Sequence, residues 1–148
     1  MVAFAFALAI VGGWFKAPGK VPIEVTDQES MWAARHPKNY TYRIESRCEC
    51  DMRPRVSTVR DGVVLDAWYE APGGAVPIAR EGRGHELLTV EGLYDYLSAG
   101  YRKRYAKIDI TFDPVLHYPK RVYIDRIASA VDDEAELLVS VTETHGGG

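Results

Sequence analysis

The sequence predicts an α+β fold, in which two helices pack on an antiparallel sheet of five to six strands in the order αβββαβββ. Three observations carry this reading. Apolar and polar residues alternate through residues 40–50, 107–113 and 135–141, the pattern of strands that bury one face and wet the other. Val90, Leu93, Leu97 and Tyr101 recur every three to four positions, which is one face of a helix. Asp61-Gly62 separates two β-prone runs, and both residues tolerate the positive φ that a two-residue hairpin turn demands. A parallel βαβ design would instead have continuous apolar strands buried on both sides.

The chain opens on an almost unbroken apolar run, VAFAFALAIVGGWF at residues 2–15, followed by Lys16. A membrane span needs about 20 apolar residues, so this run has the length of a signal-peptide core or a truncated anchor. A basic segment ahead of it is lacking, which leaves either an atypical signal anchor or a true start further upstream. The competing reading is a buried strand or helix of the domain. Ala7-Leu8-Ala9 has small residues at cleavage spacing but lies inside the run, and no cysteine adjoins it to accept a lipid. Pro18, Gly19 and Pro22 make residues 16–25 a linker. Residues 1–25 are thus expected to be a signal or anchor-like run with its linker, and residues 26–145 a single α+β domain, since 148 residues make one domain or two very small subdomains sharing a core.

Each element has its own signal. Thr26-Asp27-Gln28-Glu29 has capping-box spacing and predicts a helix over residues 26–35 with Met31 and Trp32 inward, stopped by Pro37. In the strand that follows, Tyr40, Tyr42, Ile44, Ser46, Cys48 and Cys50 share the buried face, and Thr41, Arg43, Glu45, Arg47 and Glu49 the wet one. Residues 55–60 and 63–70 flank the Asp61-Gly62 turn. Residues 71–88, rich in Gly and Pro, are too long for a tight connection and read as a surface excursion. Thr89 caps the second helix, with Arg102, Lys103 and Arg104 near the negative end of its dipole. Strands over residues 107–113, 121–127 and 135–141 complete the order, which suggests a weak internal duplication.

Composition narrows function mainly by exclusion. With 47% hydrophobic and 26% charged residues the chain has the balance of a folded globular protein. Its 18 Lys and Arg against 21 Asp and Glu leave a net charge of -3, which speaks against a nucleic-acid partner.

Asn39-Tyr40-Thr41-Tyr42, Cys48-Glu49-Cys50, Val59-Arg60-Asp61-Gly62-Val63, residues 118–125 (YPKRVYID) and Asp132-Asp133-Glu134 together resemble the bacterial family called domain of unknown function 6174. The likeness covers residues 32–141, with the pieces in the family's order. It implies an exported or membrane-attached protein and transfers no catalytic residue, because the family's activity is unknown.

Cys48 and Cys50 are the only cysteines. In a regular strand their Cα atoms lie roughly 6.5 Å apart on one face, near the upper limit for a disulfide, so bonding requires a bend. In an oxidising compartment thiols this close tend to pair. The alternatives are a strained structural disulfide, two buried thiols, or a redox or metal-binding pair. The spacing is not a zinc signature. His36, His85, His117 and His145 show no metal-ligand pairing. Asp132, Asp133 and Glu134 lack the spaced ligands of a calcium loop and read as a solvated turn. Asp109, Asp113 and Asp125 could pair for acid/base work, but scattered acids on a wet face are the ordinary case. Arg102-Lys103-Arg104 is either dipole-complementing surface or a contact for anionic headgroups. Tyrosines at strand and helix spacing read as core rather than ligand platform. Phosphate-loop, nucleophile-elbow and zinc-protease motifs do not occur. The expectation is a non-catalytic, extracytoplasmic binding domain without cofactor, whose candidate contact surfaces are the long loop over residues 71–88 and the exposed sheet face, whose partner is an envelope protein or small ligand, and whose N-terminus contacts membrane. The alternative is a thiol redox or metal-handling protein built on Cys48 and Cys50.

Overall fold

The computed structural model describes residues 16–48, 53–78 and 87–145. Its elements are α1 (Ile23–Arg35), β1 (Asn39–Arg47), β2 (Arg55–Arg60), β3 (Val63–Ala71), β4 (Gly74–Pro77), α2 (Val90–Arg102), β5 (Lys107–Phe112), β6 (Pro119–Asp125) and β7 (Glu134–Glu143). The strands form one sheet in the order β4-β3-β2-β1-β7-β6-β5, and every neighbouring pair is antiparallel. The α+β class, the antiparallel sheet and the two helices therefore match the pattern in the sequence.

Among the described residues the sheet has seven strands rather than five to six. The additional strand is β4, which pairs Ala71 with Gly74 and Trp68 with Pro77. All four of its residues are exposed, so it carries no burial alternation, and the excursion expected over residues 71–88 begins as a hairpin. The Asp61-Gly62 turn is as expected: φ is 50° and 76° at its two residues, and the space around Gly62 is open, so glycine is needed there for its backbone freedom alone.

The strand order is not that of a two-fold duplication. A repeat of one αβββ unit about a two-fold axis would set equivalent strands, β1 and β5, at the centre. The central pair is instead β1 with β7, from Tyr40 opposite Glu143 to Arg47 opposite Glu136. The first strand of one half meets the last strand of the other.

Helix α1 starts earlier than the capping-box spacing indicates. Pro22 stands at its N-cap with φ -58° and no side-chain cap, because the ring presets φ and has no N–H to satisfy. Thr26 lies inside the helix, where its hydroxyl donates back to the carbonyls of Pro22 at 3.2 Å and Ile23 at 3.1 Å. The stop is as expected, with His36 extended at ψ 146° before Pro37. Trp32 is 1% exposed, whereas Met31 is 38% exposed; the inward stripe runs from Val25 to Trp32, and the residue beside Trp32 falls off it.

Residues 17–25 are not a free linker. The Gly19 N–H donates to the Arg102 carbonyl at 2.9 Å, and Arg104 Nε donates to the Ala17 carbonyl at 2.8 Å. Val21 packs against the core and Val25 is part of it. This strap closes only at glycine, since a Cβ on Gly19 would lie 2.0 Å from the Tyr101 carbonyl oxygen. Helix α2 is capped as expected, with Thr89 Oγ1 accepting from the Gly92 N–H at 2.9 Å.

Both helices cover the same face of the sheet. Trp32 of α1 and Leu93, Tyr94 and Leu97 of α2 meet Tyr40, Tyr42 and Ile44 of β1, Val122 and Ile124 of β6, and Leu137 and Val139 of β7. Fully burying each large side chain contributes about 1.5 to 3 kcal/mol. Trp32 meets Tyr40 edge-on at 5.5 Å and stacks on His36 at 5.4 Å.

Candidate functional site

No described helix covers the other face. Register sets its side chains in rows: Lys107, Asp125 and Glu134; then Asp109, Tyr123, Glu136 and Arg47; then Thr111, Arg121, Leu138 and Glu45; then Ser140, Arg43, Val56 and Trp68. The charges along these rows form one chain of ion pairs across β3, β1, β7 and β6. Glu70 takes Arg43 at 3.0 Å, Arg43 reaches Glu45 at 3.4 Å, and Glu45 holds Arg47 at 3.7 Å. Arg47 meets Glu136 at 3.6 Å, and Glu136 also binds Arg121. The Glu70 hydrogen bonds hold the Arg43 guanidinium above its ordinary pKa. Exposed pairs of this kind contribute only about 0 to 1 kcal/mol each. Their effect is to hold six long side chains in place on an otherwise uncovered surface.

At one end of this face lies an open groove of about 630 Å³ whose lining includes Arg47, Cys48, Arg121, Tyr123, Val131 and Glu136. The Lys107 ammonium sits 5.5 Å from the Tyr123 ring centre and 3.1 Å from Asp109. Burial and the hydrogen bond to Glu134 push the Tyr123 hydroxyl above its ordinary pKa, so it stays a donor. The β6–β7 loop that walls the groove is tied down by Arg126, which donates to the Asp133 carbonyl at 3.0 Å and the Tyr96 hydroxyl at 2.8 Å. Val131 on this loop is 85% exposed.

The predicted site residues fall differently. The alternation Tyr40, Tyr42, Ile44, Ser46 is buried as expected. It ends there, since β1 stops at Arg47 and Cys48 follows at a bend, half-buried beside the groove. No cysteine is free among the described residues; Cys50 and the Cys48 to Cys50 pairing lie outside them, as does His85. Asp109 pairs with Lys107, whereas Asp113 caps its own turn by accepting from the N–H groups of Val115 at 3.0 Å and Leu116 at 2.8 Å. Asp125 is half-buried, and burial, then Asp133 and Glu134, raise its carboxyl above the ordinary range. Among the described residues no group of three His, Cys, Asp or Glu side chains could hold a metal ion. His117, at φ 64°, places Nδ1 3.0 Å from Gln28 Oε1 and so ties the β5–β6 turn to α1. His36 stacks on Trp32. The ion-pair chain is what residue-by-residue reading misses, although the alternating signs of Arg43, Glu45 and Arg47 are its trace in the sequence.

The geometry defines a two-helix α+β layer that presents one charged, grooved sheet face. The chain belongs to the family of unknown function DUF6174, whose model matches residues 24–144. Comparison with curated proteins and with solved structures finds no match. Because the family has no assigned function, its match brings no catalytic residue with it.

Proposed function

We propose that this chain is a non-catalytic binding domain of the cell envelope, tethered or secreted through the apolar run of residues 2–15, and that its contact surface is the open sheet face. The observation that carries the reading is the continuous chain from Glu70 to Arg121 ending in the groove. Side chains already held by neighbours lose little freedom on binding, so such a face is preorganised for a partner. The exposed Val131 beside Tyr123 supplies the apolar anchor that a polar rim lacks. The partner that suits this open groove is a segment of another envelope protein. A photo-cross-linking side chain placed at Tyr123 should capture it in the native envelope, while the same group at Met31 on α1 should not. Equal capture from both positions, or capture from Met31 alone, would refute the reading.

The position of Cys48 favours a second reading. It borders the groove next to Arg47 and Arg121, whose positive charge would favour a thiolate. On this reading Cys48 and Cys50 form a disulfide that exchanges with thiols of the partner. Titration of native protein separates the two: a pair that resists mild reductant is structural, and one that reduces readily and reoxidises is redox-active.

A further inference from the structure

We propose that the end of the domain where residues 16–20 meet α2 is a docking surface for anionic lipid headgroups; this rests on the reading of residues 2–15 as a tether. Five basic residues, Lys16, Lys20, Arg102, Lys103 and Arg104, are all exposed there. None of them forms an ion pair with a described residue. Carboxylates act on this end too: Glu29, which also interacts with Asp95, interacts with Arg102, and Glu24 and Asp109 act on Tyr101. In a chain whose net charge is -3, this is a local inversion of sign.

Complementing the α2 dipole accounts for Arg102, Lys103 and Arg104, but not for Lys16 and Lys20. Those two lie some 80 residues away in the chain and are brought to the helix end by the strap. The Gly19 N–H bond to Arg102 and the Arg104 bond to Ala17 hold it there, in a fit so close that no Cβ is tolerated at Gly19. The apolar run ends at Phe15, directly before Lys16. Lys20 is four residues further on, at most about 14 Å along the chain. A tether entering a bilayer would therefore bring the five cations to the headgroups.

Each cation at an anionic surface strengthens binding by about fivefold, so three supply about a hundredfold. The test uses the full chain on vesicles of phosphatidylcholine alone and of phosphatidylcholine with phosphatidylglycerol, at low and high salt, beside the variant K16Q/K20Q/K103Q. These three side chains hold no described partner, and an unchanged melting curve verifies the fold of the variant. The full chain should prefer the anionic vesicles tenfold or more at low salt and lose the preference at high salt. The variant should lose most of it and bind neutral vesicles as the full chain does. Equal binding to both vesicle types, or a variant that keeps the preference, overturns the basic surface and leaves the tether standing. Binding to neither overturns both. Tight, salt-sensitive retention on a single-stranded oligonucleotide without preference for anionic vesicles would assign the patch to nucleic acid instead.

Discussion

Glu91, in the first turn of α2, accepts a hydrogen bond from the indole Nε1 of Trp32 on α1 at 3.1 Å. Its other oxygen accepts from the Tyr40 hydroxyl at 3.1 Å, so one carboxylate joins both helices to the central strand. Burial and the charge of Glu91 hold the Tyr40 hydroxyl above its ordinary pKa, which keeps its proton available to donate. Trp32 and Tyr40 are each 1% exposed, and their donors cannot turn to water. Glu91→Ala should therefore destabilise by about 1 to 3 kcal/mol, and Glu91→Gln by less, since the amide oxygen still accepts one bond. Urea unfolding followed by tryptophan fluorescence measures both.

Tyr42 is fully buried at the sheet centre, and its hydroxyl has no hydrogen-bond partner among the described residues. Burial drives its pKa up, so it stays neutral at any ordinary pH. Removing a buried, unpaired hydroxyl relieves its desolvation cost. Tyr42→Phe should thus be neutral or stabilising by up to about 1 kcal/mol, in contrast to Ile44→Ala on the same face, which should cost about 2 to 5 kcal/mol. Paired denaturation curves read the contrast.

Gly19 is the point at which the strap enters the fold. With the Tyr101 carbonyl 2.0 Å from where a Cβ would stand, Gly19→Ala must displace the strap and stretch its bond to Arg102, at a cost of about 1 to 3 kcal/mol. Truncation tells the same story: removal of residues 1–19 should lower the melting temperature by breaking both strap contacts. A truncation with an unchanged melting curve would return the strap to the status of a linker.

Asp125 gives the domain a pH signature. Its folded carboxyl binds a proton more tightly than the unfolded one, because burial, Asp133 and Glu134 all disfavour the charge. Between the ordinary aspartate range near about 4 and the raised folded value, the native state holds more protons than the unfolded state. Stability from this group is therefore lost as pH rises through that window. Asp125→Asn should melt higher than the native sequence at neutral pH, with the difference shrinking toward pH 4. Thermal melts of both proteins across that range check the sign.

What was legible in the sequence is what local physics writes into neighbouring residues. Alternation located β1, β5 and β7, positive-φ tolerance at Asp61-Gly62 located the hairpin, and Thr89 located the start of α2. β4 was not legible, since a fully exposed strand has no apolar face to alternate with. The start of α1 misled for a different reason: a threonine hydroxyl serves equally as a cap or as a donor to the preceding turn, and Pro22 needs no cap. Met31 stands beside Trp32 and turns about 100° away from it on a helix, a distinction the Val25 to Trp32 spacing already contained. The strap and the ion-pair chain depend on contacts between distant segments, Gly19 with Arg102 and Arg47 with Glu136, which no local pattern records.

Carboxyl footprinting tests the proposed contact surface, the open sheet face, most directly. Glu45 and Glu136 lie on that face, and Asp27 lies on α1. Labelling of each should be compared between the purified chain and the chain in intact cells. Glu45 and Glu136 should become protected in cells while Asp27 labels as before. Protection of Asp27 with Glu45 and Glu136 unchanged would place the partner on the helical side and contradict the account.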